Sequence, residues 1–194
     1  MEVLYHPHPV LRYVTRPVVR VDKQLREFAT SMVGLMVEEN GAGLAANQVG
    51  LPFRMFVMRT ETQHPVCFIN PEVKPLGVAV AKNESCLSLP GLSVNVYRRP
   101  RCHFKAWVLN GDTVNGIITG LPARIIQHEM DHLDGIMISD RMSAHQKQYG
   151  NVVPELKLME SAWEKYPKEF PVDEFNELLY RYTDVKWPEK VETC

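Results

Sequence analysis

The amino-acid sequence predicts an α+β fold in which antiparallel β-sheets surround a central helix, with an N-terminal helix before the strands and a helical C-terminal extension after them. One amphipathic segment is followed by six short strand-like runs, and these by a second helical segment that carries two histidines. A chain of 194 residues suits one domain with a sizeable core. We therefore expect a single domain over 1–194, with the extension occupying roughly residues 150–194.

The two helices of the main body have recognisable ends. The first is predicted between Asp22, a suitable N-cap, and Gly41, which would end it, because apolar residues recur between them at helical spacing. The second begins near Leu121 and has Pro122 in its first turn, where a missing N–H costs nothing. It ends at Gly135, which is free to adopt a left-handed cap.

The strands are predicted as short runs rich in β-branched and aromatic residues. They are FRMFVM, VCFI, GVAVA, LSVNVY, CHFKAWVL and TVNGIIT. The segments NPEVKPLG, LPG and LNGD are typical of turns and are expected to separate them. NGD between two such runs also predicts a hairpin, which favours antiparallel pairing.

The composition excludes several classes of function. The chain has 22 basic and 23 acidic residues, interspersed, and a formal net charge of −1. No basic stripe indicates nucleic-acid binding, and no apolar run reaches the ~18 residues of a membrane-spanning helix. Four scattered cysteines without a CxxC pair indicate free thiols in a reducing compartment. We expect neither direct nucleic-acid binding nor membrane association.

The segment QHEMDH indicates a metal site. His128 and His132 are four residues apart on a helix, so both imidazoles face the same side and are able to reach one ion. Glu129 follows the first histidine, in the arrangement of two ligands plus a general base. Asp131 or Asp134 is a candidate to orient one of the histidine rings.

A catalytic site of this kind needs a third protein ligand, and the residues offer two. Glu155 lies 23 residues after His132, a spacing found in zinc endopeptidases with a downstream glutamate ligand. Cys86, between Glu84 and Ser88 and before a Pro-Gly pair, is the other candidate. The spacing alone leaves both open.

Three blocks, GAGLAANQ, ESCLS and QHEMDH, occur in this order, and together they resemble the signature motifs of the peptide deformylases. The resemblance covers about residues 3–142 and implies a hydrolase that removes the formyl group from N-terminal formylmethionine. It implies Cys86, His128 and His132 as metal ligands and Glu129 as the catalytic acid and base. The side chain of Gln48 and the backbone N–H of Leu87 are implied as donors to the negative oxygen of the reaction intermediate.

The resemblance also implies a substrate pocket, a cofactor and partners. Its predicted lining residues are Ala42, Gly43, Glu84, Leu121 and Ile125. One divalent ion per chain is expected, Fe²⁺ physiologically, with Zn²⁺, Ni²⁺ or Co²⁺ in preparations. Nascent N-formylmethionyl polypeptides near the ribosome are the expected partners of a monomer or homodimer, in the bacterial cytoplasm or in a mitochondrion or plastid. Two alternatives to a deformylase stay open. One is a zinc endopeptidase with Glu155 as the third ligand, and the other is a family member that keeps the metal but has lost catalysis and serves as a binding or structural protein.

Overall fold

The computed structural model of the chain describes residues 1–60, 62, 64–143, 177–178 and 181–183. Its helices and strands follow the order α1 Lys23–Glu38, β1 Gly43–Ala45, β2 Met55–Arg59, β3 Pro65–Leu76, β4 Val80–Cys86, β5 Leu89–Arg98, β6 Arg101–Val108, β7 Thr113–Thr119 and α2 Gly120–Leu133. The α+β class and the antiparallel pairing are confirmed. Most of the predicted helical extension, including Glu155, lies outside the described residues. No described helix is long and apolar enough to cross a bilayer.

The first helix begins as predicted but ends one residue earlier than its glycine suggests. The side chain of Asp22 accepts a hydrogen bond from the Leu25 N–H at 3.0 Å, which caps the N-terminus. At the other end Asn40, not Gly41, takes the left-handed conformation with φ 53°. The N–H of Gly41 then donates to the Met36 carbonyl at 2.8 Å, the bond of a Schellman cap.

A five-stranded antiparallel sheet, in the order β1-β2-β3-β6-β7, separates two cores. Side chains alternate along β2: Met55 and Val57 pack in the core that includes α1, while Phe56 and Met58 pack in the core that includes α2. The two helices therefore cover opposite faces of the sheet. Burial on both faces explains why this strand is a continuous apolar run.

Two of the predicted turns lie within strands. The NPEVKPLG segment continues β3, which accommodates it with a register shift between Ile69 and Glu72. Asn70, at this shift, has φ 50°, and its side chain bonds both the N–H and the C=O of Val18. The LPG segment lies within β5 instead of forming a turn. The prediction of a turn was wrong in both places: the Asn70 N–H donates to the Arg54 carbonyl, and Leu89 pairs with Cys86 of β4.

A second, two-stranded sheet pairs β4 with β5. The predicted GVAVA strand begins only at Val80, and β4 runs on to Cys86, where the two-residue turn of Leu87 and Ser88 leads into β5. Two strands alone are only marginally stable. A third core, formed with the residues that follow α2, therefore supports this sheet; it includes Leu92, Val94, Val96, Met137 and Ile138.

Helix α2 places the QHEMDH segment between the two sheets. Its end is as predicted: Gly135 has φ 71°, and the N–H of Ile136 donates to the Asp131 carbonyl at 2.8 Å. A Cβ at Gly135 would lie 2.5 Å from the Arg12 carbonyl oxygen. Glycine is therefore required twice here, for the left-handed turn and for the close approach of another chain segment.

Candidate metal centre

Three potential ligand atoms converge between β4 and α2. Sγ of Cys86 lies 3.2 Å from Nε2 of His132, and that nitrogen lies 3.2 Å from Nε2 of His128. All three atoms are within 4.8 Å of one another. Two nitrogens bound ~2.0–2.1 Å from a tetrahedral ion would be about 3.3 Å apart, so the spacing fits a metal with these ligands. Glu155, the rival third ligand, lies outside the described residues.

The protonation of the two histidines differs. Burial opposes a charge on His128, but hydrogen bonds to Cys86 and Glu84 prevail and raise its pKa to about 10. Burial, together with the charge on His128, holds the pKa of His132 well below its usual value. An ion bound here would therefore have to displace the proton of His128, because only a neutral imidazole offers its nitrogen to a metal.

Glu129 lies on α2 beside these atoms and has an unusual environment for a carboxylate. Its side chain is buried, and among the described residues Oε2 has no hydrogen-bond partner. Burial raises its pKa to about 7, against the lowering effect of the charges on His128 and Arg98. A carboxyl group of this kind is suited to taking up and releasing a proton near neutral pH.

Gly43 makes room for this carboxylate. A Cβ built at that position in β1 would lie 2.3 Å from Oε1 of Glu129, far inside contact distance. The structure thus gives the glycine a reason that its sequence context does not reveal. Its expected contact with a peptide backbone stays a prediction.

The side chain of Gln48 has a fixed orientation on the other side of the cluster. Its Oε1 accepts a hydrogen bond from the Ala45 N–H at 2.9 Å, and its Nε2 donates to Oγ of Ser88 at 3.0 Å. Nε2 also lies 3.7 Å from Sγ of Cys86. Leu87 follows Cys86 in the turn, so both predicted donor residues are next to the ligand sulfur.

Glu84 contacts one of the potential ligands, His128, directly. Its Oε1 accepts hydrogen bonds from Nε of Arg98 at 3.0 Å and from Nη1 of Arg124 at 2.6 Å. Its Oε2 accepts from Nη2 of Arg98 at 2.9 Å and lies 3.1 Å from Nδ1 of His128. Burial opposes ionisation, but these bonds prevail and lower the pKa of Glu84 to about 2. The contact at Nδ1 leaves Nε2 of His128 available for a cation.

The two aspartates near the histidines have other partners. Asp131 accepts hydrogen bonds from Nη1 of Arg98 at 2.5 Å and from Arg141, and Asp134 accepts one from Arg54 at 2.7 Å. The sequence favours one of these aspartates as the group that orients a histidine. In the described part of the chain that contact belongs to Glu84.

A cavity of about 380 Å³ opens beside the ligand atoms. All five residues predicted for the substrate pocket line it, namely Ala42, Gly43, Glu84, Leu121 and Ile125. Leu121 is 67% exposed, which argues against a role in the core. The cavity thus combines an apolar wall with the polar cluster, as small-molecule and peptide sites generally do.

Sequence reasoning missed Arg98 and Arg124, although each leaves a signal. Leu92, Val94 and Val96 alternate as the buried row of β5, and Arg98 continues that row with 5% exposure. Arg124 lies four residues before His128 and thus on the ligand-bearing side of α2. A charged residue in line with core or ligand positions is the signal that predicts a buried ion-pair network.

The chain matches known proteins over most of its length. The sequence profile of the family described as polypeptide deformylase matches residues 1–148. The peptide deformylase of Rhodopirellula baltica is 46% identical over 148 residues, which cover 73% of this chain and 73% of that protein. The solved peptide deformylase of Plasmodium falciparum has a TM-score of 0.76 at 31% identity and covers 82% of this chain and 99% of its own. The solved peptide deformylase of Thermotoga maritima has a TM-score of 0.68 at 37% identity and covers 73% of this chain and 97% of its own.

Proposed function

Because the chain belongs to the polypeptide deformylase family, and is therefore a metal-dependent hydrolase that removes the N-formyl group from nascent polypeptides, we propose that Cys86, His128 and His132 hold its metal ion and that Glu129 is its acid and base. The observation that carries the proposal is the convergence of Sγ and two Nε2 atoms beside the buried Oε2 of Glu129, which has no partner in the described part of the chain.

The donor set fits a divalent ion. One thiolate and two neutral imidazoles leave a fourth coordination position open, as catalytic sites require. When bound, the ion supplies a Lewis acid that polarises the formyl carbonyl and lowers the pKa of water. We propose Fe²⁺ as the physiological ion, with Zn²⁺, Ni²⁺ or Co²⁺ in preparations.

Glu129 moves the proton. Its carboxylate accepts a proton from the attacking water as the new C–O bond forms at the formyl carbon. The same group then gives that proton to the departing nitrogen as the C–N bond breaks. Formate and a free N-terminal amine are the products, and Glu129 returns to its starting state.

Two donors stabilise the negative oxygen that develops on the formyl carbon. One is an N–H of the Gln48 amide, which its contacts with Ala45 and Ser88 hold beside Cys86. The other is the backbone N–H of Leu87, in the turn after the ligand. Neither group titrates near neutral pH, so both donate throughout the reaction. Loss of one such donor typically lowers kcat about 10²–10³-fold.

The cavity accommodates the first residue of the substrate. Leu121 and Ile125 offer an apolar surface to the methionine side chain, and Ala42 and Gly43 also line the cavity. We propose that the protein acts on nascent chains near the ribosome, where N-formylmethionine is exposed first. The bacterial cytoplasm, a mitochondrion or a plastid would each supply that substrate.

Formate release tests the proposal. We expect anaerobically prepared, iron-loaded protein to release formate from formyl-Met-Ala-Ser, and the equally loaded Glu129→Ala variant to retain little activity. Acetyl-Met-Ala-Ser serves as the matched substrate control. Well-folded, metal-loaded protein that releases no formate would contradict the proposal, and release of internal peptide fragments instead would favour an endopeptidase.

A further inference from the structure

Arg124 connects α2 to both strands of the two-stranded sheet. Its Nη2 donates to the Val80 carbonyl of β4 at 2.7 Å, and its Nη1 donates to the Val96 carbonyl of β5 at 3.0 Å. Nη1 also donates to Oε1 of Glu84 at 2.6 Å. The side chain is 11% exposed; the bonds to Glu84 and Val96 are partly buried, and the bond to Val80 is exposed.

We propose that Arg124 is a positioning residue of the metal centre, acting through Glu84 on His128; this inference rests on the proposed function. Arg124 and His128 lie one turn apart on α2. The guanidinium holds Oε1 of Glu84, and Oε2 of the same carboxylate contacts Nδ1 of His128. The chain of contacts leaves the helix at one residue and returns to it four residues later.

Arg98 holds the same carboxylate but does not replace Arg124. Arg98 belongs to β5 and binds Glu84 in β4, so that pair alone joins two strands of one sheet. Its contact with α2 goes to Asp131 and to the Gln127 carbonyl, not to a ligand side chain. Both arginines thus connect Glu84 to α2, but Arg124 does so from the helix itself, one turn before His128.

The same bonds set the position of the third ligand. Cys86 is the last residue of β4, and Val80 is the first. By holding Val80 and Glu84, Arg124 fixes two points of that strand against α2. Sγ of Cys86 is thereby kept within reach of the two Nε2 atoms before an ion binds. Removal of groups that orient metal ligands in this way typically weakens metal binding roughly 10–100-fold.

The test compares Arg124→Met with Arg54→Met. Methionine keeps an unbranched stem at the cavity wall but forms none of the three bonds. Arg54 makes an ion pair with Asp134 near the other end of α2, at 2.7 Å, without contacting a ligand side chain. In each full-length variant we would measure the Zn²⁺ dissociation constant by chelator competition, the visible spectrum of bound Co²⁺ and the melting temperature of the metal-free protein.

We expect Arg124→Met to bind Zn²⁺ about 10-fold or more weakly and to shift the Co²⁺ bands, while Arg54→Met keeps wild-type values of both. Arg124→Lys, which keeps the charge without the planar fork, should lie between them, and it replaces the methionine variant if that does not fold. Wild-type Zn²⁺ affinity in the Arg124 variants would overturn the inference. So would a loss of Zn²⁺ affinity that merely parallels the fall in melting temperature in the Arg124 and Arg54 variants alike. If the wild type itself bound Zn²⁺ no better than Cys86→Ser, the proposed ligand set would fall instead.

Discussion

Glu84 and Glu129 are both buried near His128, yet the protein gives them opposite environments. Glu84 accepts bonds from two arginines, and its pKa is lowered to about 2. Glu129 has an oxygen with no partner among the described residues, and burial raises its pKa to about 7. Position decides the difference: Glu84 is on a strand facing Arg98 and Arg124, whereas Glu129 is on the helix facing the cavity.

The contrast shows how one site can use one carboxylate to position its neighbours and another to transfer protons. A carboxylate with all its lone pairs engaged keeps its charge and fixes its neighbours, but has nothing left to offer a substrate. A buried carboxylate with a free oxygen is costly to keep ionised and is therefore ready to accept a proton. The same substitution, glutamate to glutamine, should accordingly have different effects at the two positions.

The largest effect is expected on catalysis at Glu129. Glu129→Gln should lower kcat/KM for a formyl peptide about 10²–10⁴-fold, because an amide accepts no proton from water at neutral pH. The metal content per chain should stay at the wild-type value, since Glu129 is not among the proposed ligands. A variant isolated without metal would show that Glu129 belongs among the ligands.

Glu84→Gln should act on stability instead. Loss of its charge leaves Arg124 with only backbone carbonyls among its described partners and Arg98 with only Asp131 as a described carboxylate partner, and we expect the free energy of unfolding to fall by roughly 3–5 kcal/mol in urea titrations. Glu72→Gln is the matched control, because the ion pair of Glu72 with Lys105 is largely exposed and worth at most about 1 kcal/mol. Equal losses in the two variants would remove the distinction between the glutamates.

Gly43→Ala should disturb the reactive glutamate directly. The added Cβ would lie 2.3 Å from Oε1 of Glu129, so the carboxylate must move, and misplacement by ~1 Å can cost about 10²-fold in rate. Gly34→Ala, in α1, meets no atom within 4 Å and should keep full activity. Wild-type kcat/KM in the Gly43 variant would mean that the position of Glu129 matters less than proposed.

The smallest effect is expected on the stability of Glu129→Gln. Because Oε2 of the native carboxylate has no partner among the described residues, removing the charge should change the free energy of unfolding of metal-free protein by less than about 1 kcal/mol, or raise it. The urea titration used for Glu84→Gln measures both variants. A loss as large as that at Glu84 would reveal a bond to Glu129 that holds the fold together.

Local patterns predicted the helices and the residues that cluster at the site. The N-cap of α1, the glycine that ends α2 and the four-residue histidine spacing all act within a few residues, so the sequence contains them fully. The convergence of Cys86 with the two histidines was predictable only through the resemblance of three motifs. No local rule brings together residues 42 or more positions apart.

The turn wrongly predicted at Asn70 and the arginines missed at the site have a common cause. Asn70 and its neighbours resemble a turn, but Val18, 52 residues away, supplies the backbone partners that keep them in β3. Arg98 and Arg124 resemble surface residues until Glu84 is placed between them. In each case a distant partner overrides the local preference, because a buried polar group must be satisfied wherever its partner lies in the sequence.

The proposed ligands come from two elements far apart in the sequence, Cys86 from the end of β4 and the histidines from α2. Cys86 and His132 are 46 residues apart, and the segment between them contains β5, then β6 and β7 of the larger sheet. An ion bridging them closes a ring through both sheets, as a covalent cross-link would. For a disulfide around a loop of that length, the lost freedom of the unfolded chain corresponds to about 4 kcal/mol. Metal loading would therefore stabilise the fold as a reversible cross-link, and loss of the ion would return that freedom to the unfolded chain.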